Sequence, residues 1–126
     1  IPRSVGQYVR CINDSLALAY RRAVREAVRL SGEKVEVLHV VGGGVSNRLL
    51  CRLAADATGL PVLAGPKEAT ALGNMVVAAR GAGLLEGDLA ALRKVVRDSS
   101  GTTRYEPDPT AAAAWDAVER RLFQSA

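Results

Sequence analysis

The 126 residues predict an α/β domain organised around one parallel βαβ unit. Three features carry that reading. Residues 35–41 (VEVLHVV) form a β-branched run that becomes continuously apolar and stops at Gly42-Gly43-Gly44; an amphipathic segment follows from Ser46 to Gly59; and residues 60–64 (LPVLA) make a second short apolar run, closed by Gly65-Pro66. The two runs suit buried strands, and the segment between them has the length and period of a helix. Two strands joined through a helix run parallel, with a right-handed crossover. A two-stranded parallel sheet is therefore expected, flanked by several helices.

The first of those helices spans residues 5–30, where Val5, Val9, Ile12, Leu16, Ala19, Ala23, Ala27 and Leu30 recur at helical spacing as its packing stripe. Ser4 suits its N-cap and Gly32 its stop. Arg21, Arg22, Arg25 and Arg29 load the C-terminal half, where the helix dipole favours cations, and read as a solvated face. His39, the single histidine, falls inside the first strand and reads as a core or near-core side chain. Beyond Pro66 a third helix is expected over residues 68–80, with Ala69, Leu72, Gly73, Val76 and Val77 on its packed side and Gly81 and Gly83 ending it. Residues 88–96 look like another short helix, and residues 99–103 (SSGTT) like a polar loop. Pro107-Asp108-Pro109-Thr110 opens the last helix, anchored by Trp115, Val118, Leu122 and Phe123; Trp115 reads as core rather than as a ligand platform.

A composition of 48% hydrophobic and 24% charged residues is that of an ordinary globular chain, which excludes disorder and fibrous repeats. Its length fits one domain over residues 1–126. No apolar run reaches the roughly 20 residues of a spanning helix, so no membrane partner is expected. Residues 1–6 (IPRSVG) lack the apolar core of a signal peptide and an initiating Met, and read as a cut inside a longer protein. Cys11 and Cys51 have neither CxxC spacing nor nearby histidines. No metal site or disulfide framework is expected, and a reducing cytoplasm fits. The net charge of +4 permits a phosphate or nucleic-acid partner, but Tyr8, Tyr20, Tyr105, Trp115 and Phe123 are scattered rather than interleaved with basic residues. A nucleic-acid partner is not expected.

The segment that carries chemistry is residues 39–47 (HVVGGGVSN). Glycines at a strand end allow positive φ and the close approach of a ligand without a Cβ clash, and the helix start that follows offers unpaired N–H donors. Such a corner suits a nucleotide, although a tight structural turn explains three glycines as well. Two familiar phosphate motifs are absent. The P-loop needs a Gly-Lys dipeptide, and none occurs. A dinucleotide fingerprint needs a third glycine where Asn47 stands and an acidic residue about 20 positions further on, where the second strand ends in Val62-Leu63-Ala64.

Residues 42–50 (GGGVSNRLL), followed by residues 55–62 (ADATGLPV), resemble the GGG-x-x-N-x-L-L…A-D-x-x-G-x-P-V block of FGGY carbohydrate kinases. Residues 65–74 (GPKEATALGN) resemble the corresponding stretch of the rhamnulokinase subgroup, as do Val9-Arg10-Cys11-Ile12 and residues 15–21 upstream. Tyr105-Glu106-Pro107 and the Trp115 helix resemble the family's usual tail, so the similarity spans nearly the whole chain.

The resemblance implies part of a ribonuclease H-like, actin-like ATPase domain, with ATP in a cleft between two domains and this chain on the nucleotide side of the second. It maps Gly42, Gly43 and Gly44 onto backbone contacts near adenosine, and Asn47 onto a polar contact with adenine; an N-cap role for Asn47 is equally open. It sets Ala71, Leu72 and Gly73 behind the corner. The catalytic aspartate, the phosphate loop and most sugar contacts of the family fall outside this sequence, and Asp14, Asp56 and Asp88 match none of them. The expected cofactors are ATP and Mg²⁺, both bound mainly by the missing part, which also takes the sugar. The chain alone is expected to be an inactive portion of a kinase and to self-associate. The competing reading is a non-catalytic nucleotide-binding or interaction module on the same fold.

Overall fold

A computed structural model describes residues 1–123. Its elements are α1 (Val5–Ser31), β1 (Leu38–Val40), a 3₁₀ turn at Gly42–Ser46, α2 (Arg48–Thr58), β2 (Val62–Ala64), α3 (Ala69–Gly81), α4 (Leu89–Ser99), β3 (Thr103–Tyr105), a second 3₁₀ turn at Pro109–Ala111 and α5 (Ala112–Phe123). β1 and β2 pair in parallel, with His39 opposite Leu63, so the expected βαβ unit is present.

The sheet is nevertheless three-stranded, in the order β1-β2-β3, and the expectations of two strands and of a loop through Thr103 are corrected. β3 pairs antiparallel with β2, Tyr105 opposite Val62 and Thr103 opposite Ala64. Three residues after a Ser-Gly stretch are too few to display a period of two, which is why the strand escaped a pattern reading. Gly65 seats the returning chain: at its φ of +132° a Cβ would lie 2.6 Å from the Gly101 carbonyl oxygen. Only glycine allows that approach.

Alternation along the strands divides the sheet into two faces. Val62, Ala64 and Tyr105 face α2, where Cys51, Ala54 and Ala55 complete one buried cluster. Burial pushes the Cys51 thiol above its ordinary pKa, leaving an inert apolar filler. On its other side α2 joins a second cluster, Ala17 from α1 with Leu50, Leu53 and Ala57, against which Tyr20 and Trp115 pack. Alanines at the crossing let the two helices approach closely.

α1 has the expected ends. Ser4 Oγ accepts from the Gln7 N–H, and Gly32, at φ 70°, donates to Val28 O. Its buried face differs from the predicted stripe. Asn13, Ala17, Leu18 and Arg21 are buried, whereas Val5, Val9, Ile12, Leu16 and Leu30 are exposed, as are Ala19, Ala23 and Ala27. Residues 13, 17 and 21 share one helix face by their spacing of four. The physical reason for the rotation is the partner: α2 turns Leu50, Leu53 and Ala57 towards Ala17, with the Asn47 amide at one end and the Ala57 carbonyl at the other, so the face of α1 that carries Asn13, Ala17 and Arg21 meets apolar and polar groups together.

Arg21 corrects the solvated-arginine reading. It is only 4% exposed. Its Nη1 donates to the Ala57 carbonyl at the C-terminus of α2, its Nη2 to Asp116, and its Nε to Glu119 Oε2 at 2.9 Å. Arg25, outside it, reaches the same two carboxylates, Glu119 at 2.5 Å and Asp116 at 3.1 Å. Hydrogen bonding from Arg25, helped by the charges of Arg21, Arg25 and Arg120, holds the Asp116 carboxyl below the usual aspartate range. α5 is therefore docked by ions as much as by apolar contact: Trp115 is half-buried, Val118 and Leu122 are exposed, and the Phe123 ring lies 3.9 Å from the Arg22 guanidinium. On the other sheet face α3 packs mainly on α4 and has no fully buried residue; Ala69, Leu72, Gly73 and Val76 are half-buried.

Arg21→Ala removes the buried centre of this cluster, leaving the Ala57 carbonyl and two carboxylates short of a donor. Chemical denaturation is expected to read a loss of about 3 kcal/mol, the low end for breaking a buried ion pair because Asp116 is partly solvated. Arg25→Ala, at an exposed position, is expected to cost under about 1 kcal/mol. The Asp116 contribution is present above the ordinary aspartate pKa and is lost as pH falls through its depressed value, so the gap between wild type and Arg21→Ala should narrow under strong acid without closing, because the bond to the Ala57 carbonyl does not titrate.

Candidate functional site

The corner between β1 and α2 is assembled by short-range bonds that follow from the sequence. Gly42 takes φ +76°, in the left-handed region where glycine is favoured, and turns the chain out of β1. Its N–H donates to Pro66 O at 3.1 Å, and Gly65 N–H donates to Val40 O at 2.8 Å, so the ends of the two parallel strands are stitched together. Asn47 N–H closes the 3₁₀ turn on Gly44 O at 3.1 Å, and Asn47 O accepts from the Cys51 N–H at 3.0 Å.

The glycines are not equivalent. A Cβ on Gly42 would meet the Lys67 carbonyl at 4.0 Å, one on Gly44 would touch a Val40 methyl at 3.6 Å, and one on Gly43 would meet nothing within 4 Å. Gly43 has no positive φ, so its lack of a side chain is not demanded by the backbone, and the space beside it is open. The residues expected behind the corner take other places. The Pro66-Lys67 segment backs it, whereas Ala71 is exposed and Gly73 faces a neighbouring cleft.

Asn47 fills the N-cap role left open by its sequence. Its Oδ1 accepts from the Leu50 N–H at 3.1 Å. Its Nδ2 also donates to Asn13 Oδ1 on α1 at 2.8 Å, a contact sequence reasoning missed because Asn13 sits off the apolar stripe. Asn13, 5% exposed, donates in turn to Val9 O at 2.8 Å. Asn47 itself is exposed and keeps one N–H unspent.

A cleft of about 820 Å³ runs beside the corner between the second sheet face and helices α3 and α4. Val41, Leu63, Val76 and Leu92 give it apolar walls, and Arg93 and Arg97 stand on its α4 side. His39 lines this cleft and is exposed, which corrects the near-core expectation. The three aspartates set aside above all serve structure: Asp14 pairs with Arg10 at 2.9 Å, Asp56 accepts from the distant Asp108 N–H at 2.8 Å, and Asp88 caps α4 through the Ala91 N–H at 3.0 Å. Among the described residues no cluster of His, Cys, Asp or Glu could hold a metal ion, and no helix is long and apolar enough to cross a membrane.

Residues 1–82 match the FGGY family of carbohydrate kinases, C-terminal domain. The chain belongs to that family. It is 44% identical over 118 residues to a rhamnulokinase of Bacteroides thetaiotaomicron, covering 94% of this chain and 24% of that protein. A rhamnulokinase of Klebsiella pneumoniae (strain 342) is 43% identical over 118 residues, covering 90% of this chain and 23% of that protein. The chain thus spans about a quarter of the length of the curated relatives it matches. Among solved structures, xylulose kinase from Rhodospirillum rubrum superposes with a TM-score of 0.68 at 26% identity, over 97% of this chain and 24% of that one. Gluconate kinase from Lactobacillus acidophilus shares the fold, with a TM-score of 0.67 at 16% identity over 94% of this chain and 25% of that one. This FGGY domain therefore has the α/β fold of the sugar kinases, consistent with the actin-like architecture its sequence implied.

Within this family member the corner's glycines separate by experiment. Gly42→Ala forces an alanine into left-handed φ and is expected to cost about 1 to 2 kcal/mol in thermal or denaturant unfolding. Gly43→Ala is expected to change stability by less than about 0.5 kcal/mol. Equal costs at the two positions would contradict the assignment of the turn to Gly42.

Proposed function

We propose that this domain is the adenosine-side wall of an ATP-dependent sugar kinase of rhamnulokinase type, and that Gly42, Gly43, Gly44 and Asn47 contact the nucleotide. The observation that carries the reading is the open space beside Gly43, next to a turn fixed by Gly42 and to the N-terminus of α2. Backbone there approaches a ligand without a Cβ in the way, the exposed Asn47 amide has a donor to give, and the helix end favours anionic groups.

The residues of this chain bind and orient; they do not carry the transfer. ATP fits the corner by its open backbone. Mg²⁺ does not fit here, because the described residues present no group of three or more His, Cys, Asp or Glu side chains that could hold a metal ion. Phosphoryl transfer needs a positioned base, metal ions and phosphate clamps. Those groups, and the sugar contacts, belong to the rest of the complete protein, which works in the cytoplasm; this chain itself meets neither nucleic acid nor membrane. The exposed apolar ridge of Val5, Val9, Ile12 and Leu16 is the surface through which the isolated domain binds a second copy of itself.

Two measurements test this reading. The complete protein is expected to phosphorylate rhamnulose with ATP in a coupled assay, and the isolated 126-residue chain to give background turnover only; activity in the chain alone would overturn the division of labour. In sedimentation velocity the isolated chain is expected to form a dimer or larger species, and Ile12→Glu to shift it towards monomer. A wild-type chain that stays monomeric at high concentration contradicts the self-association.

A further inference from the structure

Asn47 is held in place by a residue that is itself out of reach of any ligand. Asn13 lies in the middle of α1, 5% exposed, on the face pressed against α2. Both ends of its amide are engaged, Oδ1 by Asn47 Nδ2 at 2.8 Å and Nδ2 by Val9 O at 2.8 Å. The second bond settles which end of Asn13 faces Asn47: the nitrogen is directed along α1, so the oxygen meets the corner. Asn47 is then determined from two sides. Its oxygen is taken by the Leu50 N–H at 3.1 Å and its nitrogen by Asn13, so the side chain cannot flip without losing both bonds.

We infer that Asn13 is a positioning residue for nucleotide binding, acting only through Asn47 by fixing which face of that amide, and which single N–H, is presented to the ligand. The inference rests on the proposal that Asn47 contacts the nucleotide. A buried polar side chain in the middle of a helix costs stability unless it is fully bonded. Leucine or alanine at position 13 would pack against α2 without that demand, so a role in the corner accounts for the asparagine better than packing does. The chemistry expected of the ligand follows: Asn47 offers one N–H, and so meets a hydrogen-bond acceptor on the base or ribose.

The test uses the complete kinase, with calorimetric titration of an unreactive ATP analogue against folded variants. Asn13→Ala is expected to weaken the analogue about three- to tenfold, to raise KM for ATP by the same factor, and to leave KM for sugar and kcat within about twofold. In an Asn47→Ala background the same substitution is expected to cost nothing further, because its only route to the ligand is gone. Asn13→Asp, which keeps an oxygen facing Asn47, is expected to bind within about threefold of wild type. Unchanged affinity in Asn13→Ala, an equal loss in both backgrounds, or a tenfold loss in folded Asn13→Asp would overturn the inference. Wild-type protein that binds no analogue would instead remove the nucleotide reading beneath it, and the two failures are distinct.

Discussion

Helix α2 is held at both ends by polar side chains of a single neighbour, α1, and the remainder of the domain is arranged around that grip. At the N-terminus Asn13 bonds Asn47, which caps α2; at the C-terminus Arg21 bonds the Ala57 carbonyl. Between them lies Ala17, fully buried against Leu50, Leu53 and Ala57. Residues 13, 17 and 21 repeat every four, so one face of α1 carries donor or acceptor, contact and donor in register with a helix running in the same direction. Helix ends hold the backbone groups that have no intrahelical partner, and these are where polar side chains bind best.

This grip explains how a small sheet can support a site. Each strand has three residues, too few to fix its own twist or register against alternatives. α2 supplies the rigidity: its sheet-facing side, Cys51, Ala54 and Ala55, seats β2 and Tyr105 of β3, and its opposite side is locked to α1. The glycine corner is the link between strand and helix, so its geometry is inherited from a helix that cannot slide. Arg21 extends the lock to α5 through Asp116 and Glu119, joining the chain's last described helix to its first. By contrast α3 and α4, with only Leu92 buried between them, stand apart from the sheet across an open cleft. The closely packed side of the domain is the side that carries the corner.

What the sequence revealed followed from the physics each segment displays. The βαβ unit was legible because β-branched runs, glycine punctuation and helical spacing agree between residues 35 and 65. The ends of α1 were legible because Ser4 and Gly32 have one dominant use at helix termini. Its buried face was not, because apolar periodicity assumes a wholly apolar partner, and here the matching surface is Leu50, Leu53 and Ala57 with polar groups at its ends. Arg21 and Asn13 were hidden by the same assumption: only the three-dimensional approach of Ala57 and Asn47 turns them from surface residues into struts. β3 was hidden because its partner lies about 40 residues away and its length carries no period. At the corner, the glycine turn and the N-cap role of Asn47 were legible in the pattern, but the difference between Gly42 and Gly43 needed backbone angles.

The corner at residues 42–47 is proposed as the place where this domain meets a nucleotide. Titrating ¹⁵N-labelled chain with an unreactive ATP analogue and following backbone amides reads it directly, since even weak binding shifts the signals of the residues touched. The predicted result is a cluster of shifts at Gly42, Gly43, Gly44, Asn47 and the first turn of α2, together with the Asn47 side-chain amide. Shifts confined to Leu63, Val76, Arg93 and Arg97, in the neighbouring cleft, would contradict it.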